Sequence, residues 1–375
     1  MHALIEGITN LGVGNAIMFA VGGVLIYLAI ARQYDPTLLL PMGFGCLLAN
    51  IPLSGAIDQT MADGSVEHGP LSILFDFGIA YGELFPLLIF IAIGAMIDFT
   101  PLLRNPFMLL FGAAAQLGVF LTIVLAAAFG FSLRESAAIG IIGAADGPTS
   151  IYVATRFAPE WLGAITVAAY SYMALVPVIQ PMVIKLLTTR EERAIVGHTH
   201  EEQVAPIVRV IFPIAVTLVA SILVPKATPL IGFLMFGNLV RECGVLDRLS
   251  KGAQNELANI VTLLLGLTIG ATMRHDQFLQ PATLGILAMG FLAFVFDTAG
   301  GVLFAKGLNL VMKRKINPML GACGISAFPM SARVIHQMAQ RENPQNVLLM
   351  QAVGANVGGQ IGSVVAGGLV LALVV

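Results

Sequence analysis

The sequence predicts an all-α membrane protein made of two inverted structural repeats, each about five transmembrane helices plus a broken or re-entrant Gly/Pro-rich segment. Three observations predict it. First, 57% of the 375 residues are hydrophobic and only 11% are charged, against roughly a quarter charged in a typical soluble domain, and the mean hydropathy is +0.90. Second, residues 105–133, 161–184 and 343–375 carry no Asp, Glu, Lys or Arg, and each run is long enough to cross ~30 Å of hydrocarbon. Third, the two halves of the chain echo one another.

Hydropathy and breaks place helices near 11–31, 37–54, 80–98, 106–130 and 161–185, with an interrupted Gly-rich segment around 135–157. A second set runs near 207–224, 227–241, 255–273, 281–305 and 345–374, with its interruption around 316–336. Pro41-Met42-Gly43-Phe44 through Asn50 echoes Pro229 through Gly232-Phe233 and Asn238. Ile93-Gly94-Ala95-Met96 echoes Ile269-Gly270-Ala271-Thr272-Met273, and Asn105-Pro106 is matched by Gln280-Pro281. Both sets then reach a break, Gly143-Ala-Ala-Asp146-Gly-Pro148 in the first and Gly321-Ala-Cys-Gly-Ile-Ser326-Ala-Phe-Pro329 in the second. Paired interruptions at corresponding places point to an ion or substrate site near the bilayer midplane. The division is 1–190 for the first repeat, 191–206 for a connector and 207–375 for the second.

Charge sets the orientation. If each repeat has five spans and its break returns to the side it entered from, fifteen of the nineteen Lys and Arg residues share one side. The positive-inside rule then puts both termini outside and the 186–206 loop in the cytoplasm; a prokaryotic inner membrane is the expected location. No basic n-region precedes Arg32, so the first helix is expected to be retained. No basic patch suggests nucleic acid. Cys46, Cys243 and Cys323 lie far apart among small apolar residues, as packing residues do.

The polar residues inside these apolar stretches carry the functional information. Asp146 precedes Gly147-Pro148 in an otherwise uncharged segment, where a carboxylate is costly unless it is paired or ion-bound. Beside it, freed carbonyls and the Thr149 and Ser150 hydroxyls suit a hard cation held by oxygen alone. The second break holds Asn317, Ser326, Ser331 and Arg333, and an Arg can dock a carboxylate through two parallel hydrogen bonds. Tyr172 and Asn356 fall at about equivalent places in the spans that follow the two breaks, and either completes the site or bonds between helices. Asp297 is a second intramembrane carboxylate without a broken-helix context. His198-Thr-His-Glu-Glu202 resembles a metal cluster only superficially and reads as a solvated connector, while the 55–80 segment with His68 reads as an external connection. GxxxxGK[ST], HExxH and GxSxG are absent, which argues against ATP hydrolysis by this chain. Met312-Lys313-Arg314 is not the context of a biotinylated lysine.

Gly140-Ile-Ile-Gly-Ala-Ala-Asp-Gly-Pro148, Val167-Ala-Ala-Tyr-Ser-Tyr-Met-Ala-Leu-Val-Pro177, Ile316-Asn-Pro318, Pro329-Met-Ser-Ala-Arg333 and Gly354-Ala-Asn-Val357 together resemble the beta subunits of the sodium-pumping, biotin-dependent decarboxylases of oxaloacetate, methylmalonyl-CoA and glutaconyl-CoA. The resemblance covers essentially the whole chain. It implies a membrane subunit that decarboxylates carboxybiotin while exporting Na⁺. The biotin is carried on a cytoplasmic alpha subunit that also transfers the carboxyl group, and a small membrane gamma subunit helps assembly. A homo-oligomer within the complex is expected. The family's functional residues fall on Asp146, Tyr172, Asn317, Gly321, Ser326 and Arg333, of which only Gly321 is not already singled out by the polar residues themselves. Catalysis is assigned to Asp146, Tyr172, Ser326 and Arg333. Contact with carboxybiotin is assigned to Arg333, Asn317 and Gly321, and Na⁺ binding to Asp146, Asn317, Ser326 and Asn356. The segment between the second and third spans is shorter than in some members, so no single acyl substrate is assigned. The rival reading is a secondary Na⁺/H⁺ or Na⁺-solute transporter with no decarboxylase activity, because inverted repeats with broken helices are shared across transporters. Co-purification with a biotinylated protein separates the two.

Overall fold

The computed structural model describes residues 7, 9–61, 63–197 and 203–374, so Glu6 and the His198–Glu202 cluster lie outside the described residues. Helices α1 (Val13–Arg32) and α2 (Pro36–Asn50) open the chain. A small antiparallel pair follows, β1 (Gln59–Thr60) and β2 (Val66–Glu67), and then α3 (Leu84–Met96). Next come α4 (Leu109–Ala115) and α5 (Leu117–Ala128), which run on as one span. The first break is α6 (Leu133–Gly140) and α7 (Gly147–Phe157), and α8 (Leu162–Ala174) with α9 (Val176–Leu187) ends the first half. The second half contains α10 (Pro206–Leu223), α11 (Thr228–Glu242), α12 (Ala258–Thr272) and the 31-residue α13 (Pro281–Val311). It ends with α14 (Met330–Glu342) and α15 (Leu349–Leu373).

Among the described residues, six helices are long and apolar enough to span a membrane, or eight if each bent pair is one span. The sequence reading expects ten straight helices, and the differences have local causes. Helices α2 and α11 have 15 residues and α3 has 13, about 20–23 Å at 1.5 Å per residue, less than the ~30 Å of hydrocarbon. Glu83, in the left-handed conformation at φ 51°, ends the preceding helix and starts α3 at an angle, so Pro70–Ala80 and Leu84–Met96 meet at 62°. The expected straight span 161–185 bends by 69° between α8 and α9, where Pro177 in the first turn of α9 has no N–H to continue the ladder.

Helix α10 buries only Pro213 and exposes a row of Ile, Leu and Val side chains, as expected of a helix that meets lipid. Inside, small residues let backbones touch. A Cβ on Gly270 of α12 would collide with the Met42 carbonyl of α2, and one on Gly94 of α3 would collide with the Leu234 carbonyl of α11. Asparagines pin the same two crossings. Asn50 donates to the Cys46 and Met273 carbonyls at 2.9 and 2.7 Å, and Asn238 donates to Gly94 and Ile97 at 3.4 and 3.0 Å. Asn50 and Asn238, like Gly94 and Gly270, are residues matched between the two halves of the sequence, so each half contributes the same kind of contact to the other.

One outcome is expected from this packing. Gly270→Ala forces a methyl group against backbone and destabilises the solubilised protein by about 1–3 kcal/mol. Gly232→Ala, whose Cβ meets no atom within 4 Å, is neutral or stabilising by up to about 1 kcal/mol. Thermal unfolding in detergent measures both.

Candidate functional site

The site grows from the first break. Helix α6 begins with a capping box in which Glu135 N–H donates to Ser132 Oγ and Ser132 N–H donates to Glu135 Oε2. The helix tightens to a 3₁₀ turn over Ile141–Ala144 and stops at Ala145, which is left-handed at φ 52°. A non-glycine residue rarely adopts this conformation, and here it swings Asp146 into extended backbone at the head of α7. Pro148 sits in the first turn of α7, where its missing N–H costs nothing. The sequence reading treats Pro148 as the breaker, whereas in the structure Ala145 ends one half-helix and Pro148 starts the next. The Asp146 carboxylate thereby lies at the positive end of a helix dipole.

Asp146 is 3% exposed. Its Oδ2 accepts three hydrogen bonds, from Thr149 Oγ1 at 2.6 Å, Ser363 Oγ at 2.8 Å and Gln360 Nε2 at 3.2 Å. Ser150 Oγ donates to the Asp146 carbonyl. The two breaks touch, because Ser326 N–H donates to the Ala144 carbonyl at 3.0 Å and Ser326 Oγ donates to the Gly359 carbonyl at 3.0 Å. Asn356 donates to the Ile325 carbonyl at 2.6 Å, and its own Oδ1 is buried without a partner. Asn356, Gly359, Gln360 and Ser363 repeat at three and four residues, so one face of α15 presents them together. Asp146, Ser326 and Asn356 are therefore linked through the two breaks and α15. This oxygen-rich cluster is composed as a hard cation requires.

The remaining predicted residues lie elsewhere. Asn317 is buried and ties the connector down, donating to the Arg193 and Ile195 carbonyls at 2.8 Å each and accepting from Met319 N–H. With Arg314, Lys315 and Gln351 it lines a cavity of about 260 Å³. Salt bridges from Arg193 and Arg190 to Glu342, at 2.8 and 3.3 Å, and from Lys306 to Glu192, at 3.1 Å, hold the same end of the fold. Arg193 holds the Glu342 carboxyl below the usual glutamate range. Arg333, on α14, is exposed, and its side chain has no hydrogen-bond or ion-pair partner among the described residues. Gly321 lies backbone to backbone against Gly301 of α13, where any side chain would collide. Tyr172 donates to the Leu287 carbonyl at 2.6 Å and packs its ring on Phe291, so it faces α13.

Sequence reasoning misses four neighbours. Tyr170 packs against Gly147, beside Asp146. Its place in Tyr170-Ser-Tyr172 leaves the two rings indistinguishable until the helix fixes which one turns to the break. Gln360 and Ser363 donate to Asp146, and their i, i+4, i+7 spacing from Asn356 is the signal that finds them. Gln180 bridges Ser331 Oγ and the Ala322 carbonyl, holding the second break to α9.

A family model described as the Na⁺-transporting oxaloacetate decarboxylase beta subunit matches residues 14–374. The methylmalonyl-CoA decarboxylase subunit beta of Veillonella parvula is 52% identical over 360 residues, covering 96% of this chain and 93% of that one. The glutaconyl-CoA decarboxylase subunit beta of Acidaminococcus fermentans is 49% identical, with the same coverage. Oxaloacetate decarboxylase beta chain 2 of Salmonella typhi is 46% identical, covering 99% of this chain and 98% of that one.

Two outcomes follow from the geometry. Ser363→Ala and Thr149→Ala each remove a donor to a buried carboxylate, and each is expected to destabilise the protein by about 1.5–3 kcal/mol, read by thermal unfolding. The Glu342–Arg193 contact contributes stability that is complete above the ordinary glutamate value and is lost as pH falls through the lowered one. Limited proteolysis of the connector is therefore expected to accelerate on acidification, and Glu342→Gln is expected to bring that acceleration to neutral pH.

Proposed function

This chain belongs to the family of Na⁺-transporting decarboxylase beta subunits, and on that premise we propose that it releases CO₂ from carboxybiotin, carried by a cytoplasmic partner subunit, while moving Na⁺ outward through the Asp146 cluster. It is a multi-pass membrane protein and its relatives are components of multi-subunit decarboxylases. The observation that carries the reading is the buried Asp146 carboxylate, held by Thr149, Gln360 and Ser363 where the two breaks meet. Asp146 supplies the charge that a Na⁺ ion needs in low dielectric. Asn356 Oδ1, the only oxygen of its side chain, is unclaimed and free to join, and the Ser326 hydroxyl and nearby carbonyls complete an oxygen set.

Carboxybiotin arrives as an anion. Arg333 is exposed and unpaired and is the residue assigned to its carboxylate, through two parallel hydrogen bonds. Arg314 and Lys315 give the Asn317 cavity a positive rim. Asn317 acts there by fixing the connector over the second break, and Gly321 by letting that break lie flush on α13. Loss of CO₂ leaves an electron pair on the ureido nitrogen, which must gain a proton. Tyr172 takes part by positioning α8 against α13. Moving one charge against the membrane potential requires about 2.3 kcal/mol per 100 mV. Coupling demands that Na⁺ occupancy favour one access state over the other.

The two halves, 1–190 and 207–375 around the 191–206 connector, are read as inverted repeats. The reciprocal Asn50/Asn238 and Gly94/Gly270 contacts support this, and rocking of one half on the other supplies alternating access. The clustering of Arg190, Arg193, Lys306, Arg314 and Lys315 at the connector end supports a cytoplasmic connector with both termini outside. A cytoplasmic carboxyltransferase and biotin-carrier subunit, a small membrane subunit and further copies of this chain complete the assembly. Asp146→Asn is expected to abolish Na⁺-stimulated CO₂ release by the reconstituted complex while leaving assembly with the partner subunits intact, as judged by co-purification. Full Na⁺-dependent turnover in an assembled variant would remove Asp146 as the central ligand.

A further inference from the structure

Helix α13 carries a second membrane carboxyl group, Asp297, which the ion cluster does not use. It is 0% exposed, and neither of its oxygens has a hydrogen-bond partner among the described residues. The group is lodged where three backbones cross. Oδ1 lies against Gly118 of α5, and a Cβ on Gly143, in the 3₁₀ turn leading to Asp146, would come within 2.8 Å of Oδ2. The amides of Gly118 and Val119 approach it without closing a well-formed hydrogen bond. Around it Val119, Ala293 and Phe294 are fully buried. Counted from the matched pairs Asn105-Pro106 and Gln280-Pro281, Asp297 occupies the position that Thr122 holds in the first half, and the Thr122 hydroxyl is also buried without a partner.

The two carboxyl groups are both buried but differ in their partners. Asp146 presents an oxygen that already accepts three donors, within an oxygen-rich cluster that suits a metal cation. Asp297 has no side-chain donor and no ion-pair partner among the described residues, and two glycine backbones pressed on its oxygens leave room for a proton but not for a metal's coordination sphere. The titratable and charged groups on elements packed around α13 are Arg134 and Glu135 on α6, Tyr170 and Tyr172 on α8, Lys185 on α9 and Cys323 in the second break, and none of them hydrogen-bonds Asp297. Pairs of carboxyl groups whose environments differ in this way divide acid and base roles between them.

We propose that Asp297 is a proton-binding site distinct from the Na⁺ site at Asp146, and that its proton is the one consumed in decarboxylation. The proposal rests on the reading of this chain as a carboxybiotin decarboxylase. In the step, the N–C bond to the carboxyl group breaks and its electron pair stays on the ureido nitrogen. CO₂ leaves, and the nitrogen gains the proton that Asp297 gives up. Asp297 is left anionic and takes another proton from water before the next turnover.

The test is Asp297→Asn, nearly isosteric and permanently neutral, in the complete complex reconstituted in liposomes. CO₂ release at saturating Na⁺ is expected to fall about 100-fold or more, the size of a lost proton-transfer group. The Na⁺ concentration that half-maximally stabilises the complex against heat is expected to move by less than about twofold. Turnover within about threefold of the parent would overturn the proposal. So would a large shift in the Na⁺ midpoint, which would make Asp297 a Na⁺ ligand instead. If Asp297→Asn does not assemble, infrared spectroscopy of the Asp146→Asn complex labelled with carboxyl-¹³C aspartate decides the matter. A protonated carboxyl band in the membrane domain at neutral pH is expected, and its absence would overturn the proposal. Asp146→Asn also keeps the two readings apart: if it leaves Na⁺ stabilisation intact, the Na⁺ site is misplaced whatever Asp297 does.

Discussion

Everything in this chain is arranged around the cost of keeping the Asp146 carboxylate inside a membrane. A bare carboxylate in hydrocarbon is prohibitive, so the fold supplies a helix N-terminus, two hydroxyls and an amide to it. Those donors come from two distant stretches, Thr149 on α7 and the Gln360 and Ser363 pair on α15. The α15 residues in turn are positioned by the second break, through Ser326 on Gly359 and Asn356 on the Ile325 carbonyl. Placing one charge thus requires two broken segments, a polar face on the last helix and glycines wherever these backbones meet.

The same arrangement gives the site two ends. One is the oxygen-rich cluster at Asp146, without a basic residue among its hydrogen-bond partners. The other is the basic cavity beside Asn317, whose amide holds the connector through the Arg193 and Ile195 carbonyls. The second break runs from Asn317 past Gly321 to Ser326, so a short stretch of backbone joins the connector end to the Asp146 cluster. Gly321 and Gly301 let that stretch lie directly on α13, backbone to backbone. A pump that couples chemistry at one end to ion release at the other needs a link of this kind, with two arrangements of unequal ion affinity.

Much of this was legible in the sequence, for identifiable physical reasons. Long uncharged runs and paired Gly/Pro interruptions are strong signals because membrane burial tolerates few alternatives. Asp146, Ser326 and Asn356 stood out as polar residues that hydrocarbon does not accept without cause. Hydropathy could not see that α2 and α3 are short or that α8 and α9 bend at Pro177, because apolar composition persists across a bend, whereas the short uncharged run at 227–240 does signal the short α11. The choice between Tyr170 and Tyr172 depends on helix rotation, and the roles of Gln360 and Ser363 become visible only once α15 lies beside α7. Asn317 reads from sequence as an ion ligand, yet its amide is already engaged in holding the connector.

The central claim is that decarboxylation of carboxybiotin by this chain depends on Na⁺ and moves it. The measurement that tests it most directly is CO₂ release from free carboxybiotin by the subunit with its membrane partners in liposomes, recorded with and without Na⁺ alongside uptake of radioactive Na⁺. Release is expected to require Na⁺, and Na⁺ movement to stop when carboxybiotin is exhausted. Na⁺ or H⁺ exchange that proceeds without any CO₂ release would contradict the claim and leave a secondary transporter in its place.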